Sequence, residues 1–142
     1  MHIHNKKELH DEILTQAELE GFCSSGIVLP DINLELPKRL DEFLDNGWHG
    51  QMDWLSARRS WRSNPKLLWP EVRSIIMVAE SYSPDYDALT GLKLKELGNI
   101  SVYAHGGDYH NVMKKKLKKL GGWLVKKTGG QIKVFVDTAP VM

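Results

Sequence analysis

Two short segments in the second half of this chain bring together the residue types that do chemistry: YAHGGDYH, from Tyr103 to His110, and VDTAP, from Val136 to Pro140. In the first, Gly106 and Gly107 would let a ligand approach the backbone closely. Asp108 stands where a helix N-cap belongs, and His110 falls in the first turn that follows. Capping alone also accounts for the segment, and the two readings are compatible, because a cap can line a pocket. In the second, Asp137 follows an apolar run, at the mouth of the sheet that the run would join. Open α/β sheets place ligands at that edge. Burial there would raise the carboxyl's pKa and make it a general acid. A turn in which Asp137 bonds backbone amides before Pro140 explains the same pattern. Neither segment contains GxGxxG or the GK[ST] of a phosphate loop, so a nucleotide fingerprint is not supported.

Three other groups invite a chemical reading. Between Gly47 and Pro70 stand Trp48, Trp54, Trp61 and Trp69 with Arg58, Arg59 and Arg62. Arginine beside aromatic rings can stack on bases or grip phosphates, and it can equally pack a surface helix. Lysines at 114–116, 118–119 and 126–127 form the solvated face of a helix, to which nucleic acid would still be drawn. The six histidines, at 2, 4, 10, 49, 105 and 110, lie in no HExxH and no Cys/His cluster, so no metal site is expected. The lone Cys23 can form no internal disulfide and reads as a buried small hydrophobe.

The elements that must position these residues follow from periodicity. Leu9, Ile13, Leu14 and Ala17 make one apolar stripe and predict a helix from Lys6 to Phe22, with Asn5 as N-cap, Glu8 as its box partner and Gly21 at the stop. A short strand is expected at Gly26–Leu29, ended by Pro30. Leu36, Leu40, Phe43 and Leu44 predict a second helix, Leu36 to Asp45, ended by Asn46-Gly47. Short helical turns and loops are expected from Gly47 to Pro70. Ser74 to Ala79 (SIIMVA) reads as a strand buried on both faces. Residues 83–99 read as a loop with a helical turn at Leu92–Leu97. Ile100 to Ala104 and Lys133 to Val136 are expected as further strands. Between them Met113, Leu117, Leu120 and Leu124 predict a long helix from Tyr109 to Lys127, in which Gly121-Gly122 is a weak point. The fold class expected is α/β, an α+β sandwich of a small sheet with flanking helices.

The chain has 142 residues, 42% hydrophobic and 26% charged, with a net charge of +1. This is an ordinary globular composition that neither demands nor excludes an acidic partner. No stretch approaches the roughly 18–20 apolar residues of a membrane span, and the first residues lack the apolar core of a signal peptide. No membrane association and a cytoplasmic address are therefore expected.

The order and spacing of GWHGQMDWL, RSNPKLLWPEVRSIIMV, SVYAHGGDYHNVMKKKLKKL and VFVDTAP resemble the amino-terminal domain of the epoxyqueuosine reductase family, from about Gly21 to Met142. The resemblance implies an oxidoreductase of queuosine biosynthesis, which reduces epoxyqueuosine to queuosine in the anticodon of tRNA. It implies cobalamin and two [4Fe–4S] clusters, and an α/β cobalamin-binding domain similar to those of reductive dehalogenases. It makes Asp137 the proton donor to the departing epoxide oxygen. It puts Arg62, Tyr103, Asp108, Tyr109, His110, Thr138 and Ala139 at the cobalamin, and it offers no reason to make His110 a cobalt ligand. Residues 1–142 then correspond to a truncated cobalamin-binding domain without the ferredoxin-like cysteines. With one cysteine the chain would hold no cluster, which takes four thiolates, and alone would be inactive. A core exposed by truncation would favour pairing with another copy. The alternatives from other classes are a non-catalytic corrinoid-binding module and a remnant interaction protein.

Overall fold

The computed structural model describes residues 6–31 and 35–137. The fold is mostly helical, with one two-stranded antiparallel sheet. Asn5, Thr138, Ala139 and Pro140 lie outside the described residues. The chain divides into two compact units, one of residues 1–26 and 78–136, the other of 27–77 and 137–142. The division falls within both strands.

In the first unit, helix α1 (Lys6–Leu19) buries Ile13 and Ala17, as its stripe predicts. It stops short of the expected Phe22. The Phe22 amide donates to the Ala17 carbonyl (3.1 Å) and the Gly21 amide to that of Glu18 (2.9 Å), with Gly21 at φ 87°. This pair of bonds is a Schellman closure. It needs a left-handed residue, which glycine adopts without Cβ strain, and it turns Phe22 inward. Phe22 joins Ala17 and Leu120 in a buried cluster, with Val78, Met113, Leu117 and Trp123 packed around it. Strand alternation then puts the next side chain outside. Cys23 is exposed, not buried as its type suggested, and its thiol donates to the Ala79 carbonyl at 3.3 Å.

The strands are β1 (Ser24–Val28) and β2 (Ile75–Ala79). The expectation that β2 is buried on both faces fails. All five of its residues are at least partly exposed, and Met77 is 60% exposed. A two-stranded sheet has too little cover to bury both sides. The expected strand at Ile100–Ala104 is instead a 3-10 turn, Val102–Ala104, with Ile100 exposed. The loop before it carries a 3-10 turn at Thr90–Lys93. Lys133–Val136 pairs with neither strand among the described residues. It keeps the alternation of a strand, with Ile132 and Val134 half-buried and Lys133 and Phe135 exposed. These corrections share one cause. Short apolar runs state that a side chain is to be covered, not that a ladder will cover it.

The long helix, α6 (Tyr109–Thr128), appears as expected and packs against α1. Gly121 is no weak point in it. It is buried, and a Cβ built there would overlap Ile132 Cδ1. The glycine is what lets residues 132–134 lie against the helix.

The second unit is built on α2 (Glu35–Asp45), which buries Leu40 and Leu44. It closes as α1 does. The Trp48 amide donates to Phe43 and the Gly47 amide to Leu44, and the Trp48 ring meets Phe43 edge-on at 6.2 Å. Three short helices follow, as the tryptophan-rich stretch predicts: α3 (Asp53–Ser56), α4 (Arg59–Ser63) and α5 (Pro65–Leu68). Asn64 caps α5 by accepting from the Lys66 amide at 2.9 Å, ahead of a proline that has no amide to satisfy.

Candidate functional site

Four of the residues singled out from sequence lie in the first unit, around the start of α6. Asp108 is the N-cap. Its Oδ1 accepts from the His110 amide and faces the His110 ring Nδ1, both at 2.9 Å, and its Oδ2 accepts from Asn111 Nδ2 at 3.0 Å. A carboxylate oxygen facing Nδ1 requires the proton on that nitrogen, which sets the imidazole's orientation. The bond from the His110 ring, and then that from the His110 amide, hold the Asp108 carboxyl below the usual carboxylate range. Asp108 is therefore an anion near neutrality. It braces His110 and is no proton donor.

Tyr109 stacks on the His110 ring, centroids 4.1 Å apart and planes 28° from parallel. Tyr103 lies on the 3-10 turn before the glycines, 60% exposed. His105, next to it, meets the Tyr86 hydroxyl at 3.4 Å. The turn thus presents aromatic rings outward, one of them locked on a braced imidazole.

In the second unit Arg62 has a structural task. Its Nε donates to the Leu55 carbonyl (3.1 Å) and its Nη2 to that of Trp54 (3.0 Å), carbonyls that the one-turn helix α3 leaves unpaired. The guanidinium lies 5.1 Å from the centre of the Trp54 ring, and Arg58 lies 5.0 Å from that of Trp61. The packing reading of the arginine and tryptophan stretch is the one observed. Sequence reasoning singled out Arg59 but not its partners: it bridges Asp41 and Asp45 of α2. Hydrogen bonds from its guanidinium to Asp41, then Asp45, push its pKa further up. Two aspartates four apart on one helix face were the available signal.

Asp137 is assigned to the second unit, exposed, with a left-handed backbone at φ 42°. Aspartate tolerates that region better than most residues. The burial expected of this carboxyl is not present.

Among the described residues no three His, Cys, Asp or Glu side chains are grouped to hold a metal ion. A shallow, open groove between α1 and α6, lined by Glu8, Glu12, Trp123 and Lys127 among others, contains none of the expected residues.

The family model described as "Epoxyqueuosine reductase QueG, DUF1730" matches residues 62–138. The epoxyqueuosine reductase of Escherichia coli K12 is 36% identical over 124 residues, which cover 86% of this chain and 32% of that protein. That of Cellulophaga algicola is 33% identical over 142 residues, covering 97% of this chain and 44% of the relative. The crystal structure of an epoxyqueuosine reductase with an epoxyqueuosine-modified tRNA-Tyr stem loop superposes with a TM-score of 0.76 at 24% identity, over 97% of this chain and 36% of that one. A selenomethionine-labelled epoxyqueuosine reductase gives 0.78 at 25% identity, over 97% and 37%. The chain thus spans roughly a third of the length of most of these proteins, and 44% of the Cellulophaga relative.

Proposed function

Because the chain belongs to the epoxyqueuosine reductase family, we propose that it is the amino-terminal, cobalamin-holding part of an enzyme that reduces the epoxide of epoxyqueuosine in tRNA to the alkene of queuosine. The observation that carries the proposal is the extent of the family match. Residues 62–138 take in Arg62, Tyr103, Asp108, Tyr109, His110, Asp137 and Thr138, all but Ala139 of the set expected at the site.

When bound, cobalamin supplies electrons to the epoxide carbon. The chain's own residues do the rest. Tyr103 and Tyr109 offer ring faces to the macrocycle, and Asp108 fixes the imidazole of His110 beside them. Arg62, whose guanidinium is held by the Leu55 and Trp54 carbonyls, and Thr138 and Ala139, which follow Asp137 in the sequence, complete the set that the family resemblance assigns to the cofactor. Asp137 holds a proton on its carboxyl and passes it to the epoxide oxygen as the C–O bond breaks, so the oxygen does not leave as an alkoxide.

The test is retention of colour. The purified chain, mixed with hydroxocobalamin and passed through a gel-filtration column, should elute with the corrinoid's visible spectrum. A colourless protein peak overturns the cofactor reading. The single cysteine favours a second reading for this chain in isolation, a corrinoid-binding module without catalysis.

A further inference from the structure

We infer that the outer face of α6 is an RNA-phosphate-binding surface, organised around Gly122. The inference rests on the tRNA reading above and assigns part of it to a particular element.

Seven lysines stand on α6, and the structure sorts them into two sets. Lys116, Lys119 and Lys127 turn toward neighbouring elements, and each meets a carboxylate: Glu80, Glu20 (3.8 Å) and Glu12 (2.7 Å). Lys116 also donates to the Gly21 carbonyl at 3.2 Å. Lys114, Lys115, Lys118 and Lys126 are exposed and have no carboxylate partner among the described residues. At roughly 100° per residue, these four fall within an arc of about 120°, opposite the stripe of Met113, Leu120 and Leu124. The chain's net charge is only +1, so this is a local concentration of charge and not a general excess.

The centre of that arc holds no long side chain. Asn111 and Gly122 occupy it, both exposed. Gly122 is unlike its neighbour. Gly121 is required by Ile132, whereas nothing lies within 4 Å of a Cβ placed at Gly122. A mid-helix glycine costs helix stability relative to alanine, and packing does not explain this one. The helix surface is bare at Gly122, with Lys118 and Lys126 one turn to either side and Lys114 and Lys115 further along the arc, none of them meeting a carboxylate among the described residues, so a phosphate backbone can approach the axis there with lysines on both sides to meet it. Lysines that neutralise phosphates release counterions, so such binding weakens steeply with salt. A protein partner with an acidic helix would satisfy the charge as well. RNA is favoured because the bare strip suits a continuous, narrow polyanion.

The experiment uses the full 142-residue chain and a fluorescein-labelled anticodon stem-loop of a queuosine-type tRNA, with anisotropy followed from about 20 to 200 mM salt. Binding at low salt is expected. The quadruple variant K114A/K115A/K118A/K126A should bind at least tenfold more weakly, with a flatter salt dependence. Gly122→Glu, which sets an anion in the strip without touching a lysine, should weaken binding severalfold. Lys6→Ala/Lys93→Ala/Lys95→Ala, which removes charge elsewhere, should bind as the parent does. Circular dichroism melts confirm that each variant is folded. Unchanged affinity in the quadruple variant, an equal loss in the control variant, or no binding by the parent at low salt each overturns the assignment. So does a parent that ignores the stem-loop yet binds an acidic peptide. None of these outcomes touches the cobalamin reading, which stands or falls on retained colour.

Discussion

Two aspartates have opposite tasks in the proposed site. Asp108 is spent on hydrogen bonds: both oxygens accept, and its carboxyl is held below the usual range by the His110 ring and then by the His110 amide. A carboxylate with a lowered folded pKa adds stability in full above its unfolded value, about 3.9, and loses it as pH falls through the lower folded value. Asp108→Asn still offers a capping oxygen but does not titrate. Between about pH 5 and pH 2 its melting temperature should therefore fall less than the parent's, followed by circular dichroism at 222 nm. Parallel curves would show that Asp108 is not held as an anion by the fold. In the proposed reaction Asp137 has the reverse part, that of the proton donor to the epoxide oxygen. Asparagine at the equivalent aspartate of a full-length family member should cut turnover by about 10²–10⁴-fold while leaving bound cobalamin, read from the visible spectrum, in place. Retained turnover would remove Asp137 from the chemistry.

At the scale of elements, α6 contains a contrast that one pair of substitutions resolves. Helix propensity favours alanine over glycine by about 1 kcal/mol at either Gly121 or Gly122. Packing overrides it at Gly121, where the new methyl would overlap Ile132 and overpacking costs about 1–3 kcal/mol. Gly121→Ala should lower stability in urea denaturation, and Gly122→Ala should raise it slightly. Ile132→Val in the Gly121→Ala background should recover part of the loss, since the two sites share one contact. Equal effects at the two glycines would mean that residues 132–134 do not pack on the helix. The same element shows what the sequence could convey. Long helices were legible because α1, α2 and α6 repeat an apolar stripe with glycines at their ends, and even the closures at Gly21 and Gly47 follow local rules. The Asp108 cap was legible for the same reason. Strands at 100–104 and 133–136 were misread because a ladder depends on a partner elsewhere in the chain, and a short apolar run does not reveal it. Cys23 was misplaced by one step of strand alternation. The ion pairs of Arg59 went unseen because its partners lie 14 and 18 residues back on another helix. The site residues entered through family resemblance, since spacing alone left each as a cap, a turn or a packing contact.

For the whole molecule, the decisive quantities are cysteine count and length. The chain has one cysteine, and it spans about a third of its Escherichia coli relative. A [4Fe–4S] cluster takes four thiolates, so no cluster can be held here and no electron relay can be built from these residues. Position, a proton and a grip on RNA are the chain's proposed contributions, and none of these supplies the electrons that reduce an epoxide. The purified 142 residues, given cobalamin, a reductant and epoxyqueuosine-modified tRNA, should therefore produce no queuosine by mass spectrometry of digested nucleosides. Product above a protein-free control would overturn the division of labour. Exposed apolar residues bear on the same experiment. Leu89, Leu92, Leu97, Ile100 and Tyr103 are each at least 60% exposed along one stretch of the first unit, and clustered exposed apolar side chains favour self-association. Light scattering across a concentration series should show self-association, and substituting Leu92, Leu97 and Ile100 with serine should suppress it. If the serine variant is monomeric and retains cobalamin as well as the parent, inactivity follows from the missing thiolates. If the parent is already monomeric at high concentration, the apolar stretch is not a self-association surface. In either case the turnover assay reads the chain's own chemistry, because association and electron supply are separated before it is run.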